Sequence, residues 1–185
     1  IKNLSLPNLR YLRGDILLDK FDIPPCDLYV GNPPFVHHSV LPEAYREQIR
    51  PLWQQYFPEQ KGFDLLLGKS RSDIAQLIFT LSIDRYLKKD GQFAVILPNS
   101  LLKGQASIGF RQFKNIQVSH LTDISSQDAF EDTNRACFYI CGHKGGKTTF
   151  PISYHVDNQV KKLHPNGSAL LTLEDQTVLG KCDYI

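Results

Sequence analysis

Two consecutive prolines, Pro33 and Pro34, constrain this chain more than any other feature. They follow Asp27-Leu28-Tyr29-Val30-Gly31, a short apolar run that predicts a buried β-strand ending at a glycine. Each proline fixes φ and removes a backbone N–H, so the pair terminates the strand. Asn32 is left as a polar amide at the strand's carboxyl end. The carbonyls near Asn32 and Pro33 become acceptors with no donor competing beside them, and Phe35 sets an aromatic ring next to them. Acceptors beside a flat ring suit a planar substrate bearing an amino group: the oxygens take the N–H bonds while the ring stacks on the face. Taken alone, the four residues also fit a plain Pro-Pro turn with an Asn cap.

The rest of the chain predicts an α/β pattern. Leu9 to Leu12 reads as a strand entering Gly14-Asp15, and Leu28 to Val30 is the next strand. Residues 36–71 are rich in His, Gln, Arg, Tyr and Pro, with helix character from Pro42 to Gln55 and breakers at Pro58 and Gly62. Ile74, Leu77, Ile78, Leu81 and Leu87 fit an amphipathic helix capped by Ser72 or Asp73. Asp90-Gly91 is a turn. Phe93 to Leu97 is an apolar strand of the kind covered on both faces. Gly109 to Phe113 is a helix segment, and Val118 to Ile124 and Ala136 to Cys141 are strands. Gly142 to Thr148 is a basic glycine-rich loop, and residues 149–185 contain strands or an extended connector. Strand, helix, strand, helix and then closely spaced strands predict an α/β sheet that ends in an antiparallel hairpin.

At 185 residues the chain can bury a real core. No apolar run approaches the length of a membrane span, and no signal pattern opens the sequence. The chain contains no methionine, which points to an internal piece of a longer protein or to a chain with segments removed. The net charge of +2 neither demands nucleic acid nor excludes it. Cys26, Cys137, Cys141 and Cys182 have no metal-site spacing and read as buried, reduced thiols of a cytoplasmic protein. No carboxylate–histidine constellation suggests a metal.

Asn32-Pro33-Pro34-Phe35 after a strand resembles the catalytic motif of S-adenosylmethionine-dependent amino-group methyltransferases. The likeness is greatest to the N6-adenine DNA methyltransferases of the Eco57I-like restriction–modification type. Four further stretches match in order: Gly14-Asp15-Ile16-Leu17, Ser72 to Phe79, Lys88 to Asn99, and Asp128 to Asp132 followed by Ala136 to Ile140. Any one is weak; together they extend from about residue 9 to about residue 143. The resemblance implies a Rossmann-like methyltransferase fold, partial here. Its first strands and the glycine-rich loop that approaches the cofactor's amino-acid end have no counterpart before Asp15. Residues 1–148 would be the C-terminal part of the catalytic domain. Residues 149–185 would be a connector or the start of a target-recognition region.

The same resemblance implies roles. Asn32 and Pro33 would supply the oxygens that accept the target amino hydrogens, with Pro34 in the same catalytic motif. Phe35 would stack on a flipped-out base, and Phe130 would be the second ring of that clamp. Asp15 would accept the amino group of the cofactor's adenine, with Ile16 as an apolar wall and Asn32 beside the cofactor. S-adenosyl-L-methionine is the implied cofactor. Double-stranded DNA is the implied partner, with endonuclease and target-recognition modules in the same or another chain. His37 and His38 read better as solvated loop residues than as phosphate contacts. Asp73 is as readily a helix cap as a direct participant. Lys144, Lys147, Lys161 and Lys162 form a DNA-backbone stripe or a solvated surface. Two other readings stay open: an Asn-Pro-Pro-aromatic enzyme acting on protein glutamine or RNA, and a non-catalytic remnant.

Overall fold

The structure, a computed structural model, describes residues 9–58, 72–103, 105–124, 136–156, 159–164 and 172–175. Its centre is one mixed sheet. The strands are β1 (Cys26–Gly31), β2 (Leu87–Pro98), β3 (Ile116–Asp123), β4 (Cys137–Lys144), β5 (Ile152–Val156), β6 (Gln159–His164) and β7 (Thr172–Asp175), in spatial order β1-β2-β4-β3-β5-β6-β7. β1 and β2 run parallel, and β4 is inserted antiparallel between β2 and β3. The expected hairpin is therefore β3–β4. Beyond it β5 pairs parallel with β3, and β6 and β7 extend the sheet antiparallel.

Two longer helices lie on one face of the sheet. α1 spans Glu43–Tyr56 and α2 spans Ile74–Tyr86; α3 is a single turn, Ile108–Arg111. α2 packs on β1 and β2, and α1 packs against α2. Alternation explains which strand residues meet them: Phe93, Val95 and Leu97 of β2, Phe138 and Ile140 of β4, and Leu121 of β3 are all buried in one core. α2 is buried nearly all round, Gln76 and Ser82 included, as a helix between a sheet and a second helix is; it is therefore not the one-faced amphipathic helix expected, and Leu87 opens β2 instead of ending the helix. No helix among the described residues is long and apolar enough to cross a membrane.

The opposite face is more open. Val30, Ala94, Cys141 and His120 lie in register across β1, β2, β4 and β3, and Ile96, Tyr139, Thr122 and His155 form the next row. Most are half-buried, while Leu28 and Val30 on the edge strand are 55% and 68% exposed. This corrects the expectation of a buried β1. The strand forms as its sequence dictates, but among the described residues it is the edge strand, and Leu28 and Val30 on its outer face are exposed. Likewise Phe93 to Leu97 is fully buried on one face only.

Other expectations also change. Leu9 to Leu12 forms no strand, and Leu9, Tyr11 and Leu12 are exposed; an apolar run becomes a strand only when a partner accepts its hydrogen bonds. Asp90-Gly91 is not a free turn but a bulge inside β2. The register jumps from Cys26↔Leu87 to Leu28↔Gln92, and Asp90 takes a φ of 62°. The first residues of the supposed loop at Gly142 to Thr148 belong to β4, and the turn itself is Gly145-Gly146, both at positive φ.

Candidate functional site

β1 ends at Gly31, paired with Val95, and delivers Asn32, Pro33, Pro34 and Phe35 to the carboxyl edge of the sheet. In open α/β sheets that edge is where ligands bind. Asn32 and Pro34 are exposed, Pro33 is buried, and Phe35 is half-buried against the core. The loop is thus anchored through Pro33 and the flank of Phe35, while Asn32 is exposed.

The loop's exit is fixed by backbone hydrogen bonds. His38 N–H donates to the Ser72 carbonyl at 2.8 Å, and Ile74 N–H donates to the Val36 carbonyl at 2.9 Å. His37 and Asp73 form an isolated antiparallel bridge. Asp73 is the N-cap of α2, its Oδ1 accepting from Ala75 N–H at 2.9 Å. The capping reading of Asp73 is therefore the one the geometry displays. It ties the start of α2 to the segment that leaves the motif.

The two histidines after the motif part company. His37 is exposed, but His38 is 2% exposed and stands edge-on to Trp53 of α1. His38 is thus a core residue and not a solvated loop histidine. Burial, then Arg46 and Arg50, lowers its pKa.

Asp15 lies in a tight turn of its own. Its Oδ1 accepts from Leu17 N–H at 2.8 Å and from Leu18 N–H at 3.2 Å. Its Oδ2 accepts from the Tyr45 hydroxyl at 2.7 Å. Leu17 is buried and Ile16 is half-buried against the core, which holds the turn to the body of the domain. Tyr45 is in the first turn of α1, the helix whose Trp53 meets His38. One helix therefore links the Asp15 turn to the segment following Phe35.

Sequence reasoning missed a second polar cluster on the same edge. Asp123, at the end of β3, accepts from Asn99 Nδ2 and from the Tyr154 hydroxyl, both at 2.8 Å. Asn99 follows the end of β2, and Tyr154 comes from β5. Only the Pro98-Asn99 strand ending hinted at it. Lys144, one of the lysines of the supposed basic stripe, donates instead to the Asp84 and Leu87 carbonyls at the end of α2, each at 2.8 Å. Phe130 lies outside the described residues, as do Asp128 to Asp132 and Cys182; the side chains of Lys161 and Lys162 also lie outside them. Cys26, Cys137 and Cys141 form no disulfide among the described residues; Cys137 is buried as expected, but Cys26 and Cys141 are only half-buried.

Comparison with known proteins bears on this edge. No curated protein matches the chain in sequence. Among solved structures, a class I S-adenosylmethionine-dependent methyltransferase from Listeria monocytogenes superposes with a TM-score of 0.50 at 14% identity, over 75% of this chain and 38% of that one. The ATP-dependent Type ISP restriction–modification enzyme LlaBIII bound to DNA gives 0.50 at 20% identity, over 71% of this chain and 10% of that one. The DrdV–DNA complex gives 0.53 at 15% identity, over 77% and 18%. These likenesses establish a class I methyltransferase fold, of which this chain spans a part. The model of the Eco57I restriction–modification methylase family matches residues 20–130, a stretch that begins before β1 and includes the whole Asn32 to Phe35 loop. By that match over more than half its length, the chain belongs to the Eco57I restriction–modification methylase family.

Proposed function

We propose that this chain is the C-terminal part of a catalytic domain that methylates N6 of adenine in DNA. The observation that carries the reading is the Asn32 to Phe35 loop. It sits at the carboxyl end of β1 in a restriction–modification methylase, with Asn32 exposed and Phe35 half-buried three residues on.

Adenine N6 is a poor nucleophile because its lone pair is delocalised into the ring. The Asn32 side-chain oxygen and the Pro33 carbonyl accept its two hydrogens. That draws the nitrogen toward sp³ geometry and localises the lone pair. The buried Pro33 ring holds these acceptors in place, so their dipoles are already oriented when the amine arrives. Phe35 stacks on the base, which must leave the duplex to reach the loop. Phe130 is proposed as the second ring.

S-adenosylmethionine, the cofactor that family and fold imply, supplies when bound a methyl group already activated as a sulfonium. The residues present fit its adenine end: Asp15 offers a carboxylate in a rigid turn, and Ile16 flanks it. The glycine-rich loop that the family places at the cofactor's other end has no counterpart ahead of Asp15 in this sequence. Recognition of the DNA sequence, and any cleavage, would belong to other modules.

The test is incubation of the full-length protein with labelled S-adenosylmethionine and unmethylated DNA, beside an Asn32→Ala variant. Label on adenine N6, lost in the variant, is the expected result. Cofactor binding without label on DNA would overturn the choice of substrate and direct the search to glutamine side chains and RNA. Failure to bind cofactor would favour a non-catalytic subunit.

A further inference from the structure

We infer that Tyr45 is a positioning residue for the cofactor's adenine: its hydroxyl on Asp15 Oδ2 leaves the carboxylate one acceptor direction, and that direction takes a single exocyclic N–H. The inference rests on the proposed assignment of Asp15 to the adenine and adds a residue 30 positions away, outside every motif.

The argument is a count of lone pairs. An ionised carboxylate offers about four acceptor sites. Oδ1 is filled by the Leu17 and Leu18 N–H groups. Oδ2 has one site filled by Tyr45. One site remains, on the oxygen that Tyr45 orients. The turn around it is closed from both sides: Asp15 N–H donates to Asp19 Oδ2 at 2.7 Å, and Asp19 N–H donates to the Asp15 carbonyl at 2.8 Å. Rotation of the carboxylate is therefore set by the backbone at one oxygen and by Tyr45 at the other. Without the hydroxyl, Oδ2 has two open sites and would be hydrated in more than one arrangement.

Tyr45 suits the task. Burial, and then its bond to Asp15, pushes the phenol well above its usual pKa, so it stays a donor throughout the working range. Its helix is anchored in the core by Ile49 and Trp53. A movement of α1 would reach the Asp15 turn through this bond and the segment after Phe35 through the Trp53–His38 contact.

The experiment compares the full-length protein with its Tyr45→Phe and Asp15→Asn variants. Dissociation constants are measured for S-adenosylmethionine and for the analogue whose adenine 6-amino group is replaced by oxygen. The kcat at saturating cofactor is read in parallel. Tyr45→Phe is expected to weaken S-adenosylmethionine about five- to tenfold, the scale of one orienting hydrogen bond. It should narrow the preference over the 6-oxo analogue and leave kcat within about twofold, as loss of uniform binding does. Asp15→Asn should reverse the preference, because its amide NH₂ donates to the 6-oxo group. If Asp15→Asn changes neither affinity nor preference, the assignment of Asp15 fails. If Asp15→Asn acts as expected but Tyr45→Phe weakens both ligands equally, or neither, Tyr45 is structural only and the inference is overturned.

Discussion

The His38 imidazole stands edge-on to the Trp53 indole, with ring centroids 5.7 Å apart and planes at 87°. Neither His38 ring nitrogen meets a hydrogen-bonding partner among the described residues, and Arg46 and Arg50 add positive potential. The fold therefore holds the ring neutral. The sign follows: the folded pKa lies below the unfolded one, so the unfolded chain binds the extra proton first. Stability contributed by neutral His38 is complete above about pH 6.5 and is lost as pH falls below it. Melting temperatures of wild type and His38→Leu, followed from pH 7.5 to 5, should diverge, with the variant losing less. His120, lowered by burial and by His155, adds to the acid sensitivity of both proteins, so the difference between them isolates His38. Parallel curves would mean that His38 titrates normally.

Asp73 separates capping from chemistry. Its carboxylate accepts from Ala75 N–H, and an amide oxygen can do the same. Asp73→Asn should therefore keep both stability and methylation, since Asn caps as well as Asp. Asp73→Ala should cost about 1 kcal/mol by chemical denaturation. It should also loosen the segment after Phe35, because the start of α2 is bonded to Val36 and His38. A stable Asp73→Asn protein that has lost methylation would show that the charge itself acts in the site.

The contrast among these residues shows what the sequence could reveal. The loop at Asn32 was legible because Pro33 and Pro34 leave the backbone few choices, and α2 was legible from its cap and apolar spacing. Burial was not. A run such as Leu28-Tyr29-Val30 states that a strand can form, but not what covers its faces, and here the side of Leu28 and Val30 stays open. His37 and His38 are the same residue type side by side. Trp53, brought in by α1, stands against the buried ring and not the exposed one. Tyr45 with Asp15, and Asn99 with Asp123 and Tyr154, are pairings between distant parts of the chain, which no local pattern encodes.

Gly142 locks the hairpin to its neighbour strand. On β4 it pairs with Phe93 on one side and Val118 on the other, next to the bulge at Ser119. A Cβ there would run into the Gln117 carbonyl and come within 2.8 Å of the Phe93 ring. The ring has some freedom, but the carbonyl belongs to β3 and moves only if the β3–β4 pairing moves with it. Gly142→Ala should therefore destabilise by about 2 kcal/mol or more, in the range of overpacked core substitutions. Gly146→Ala serves as the comparison. It lies in the adjoining turn at a φ of 74°, where a Cβ meets the end of the flexible Gln117 side chain at 3.0 Å and the His143 ring at an ordinary 3.9 Å. Once the Gln117 side chain swings aside, the cost is backbone strain, about 1 kcal/mol. Urea denaturation of the two variants should rank Gly142→Ala clearly below Gly146→Ala. The reverse order would mean that β3 and β4 separate easily at this point, and that the close approach across Gly142 does not hold the hairpin.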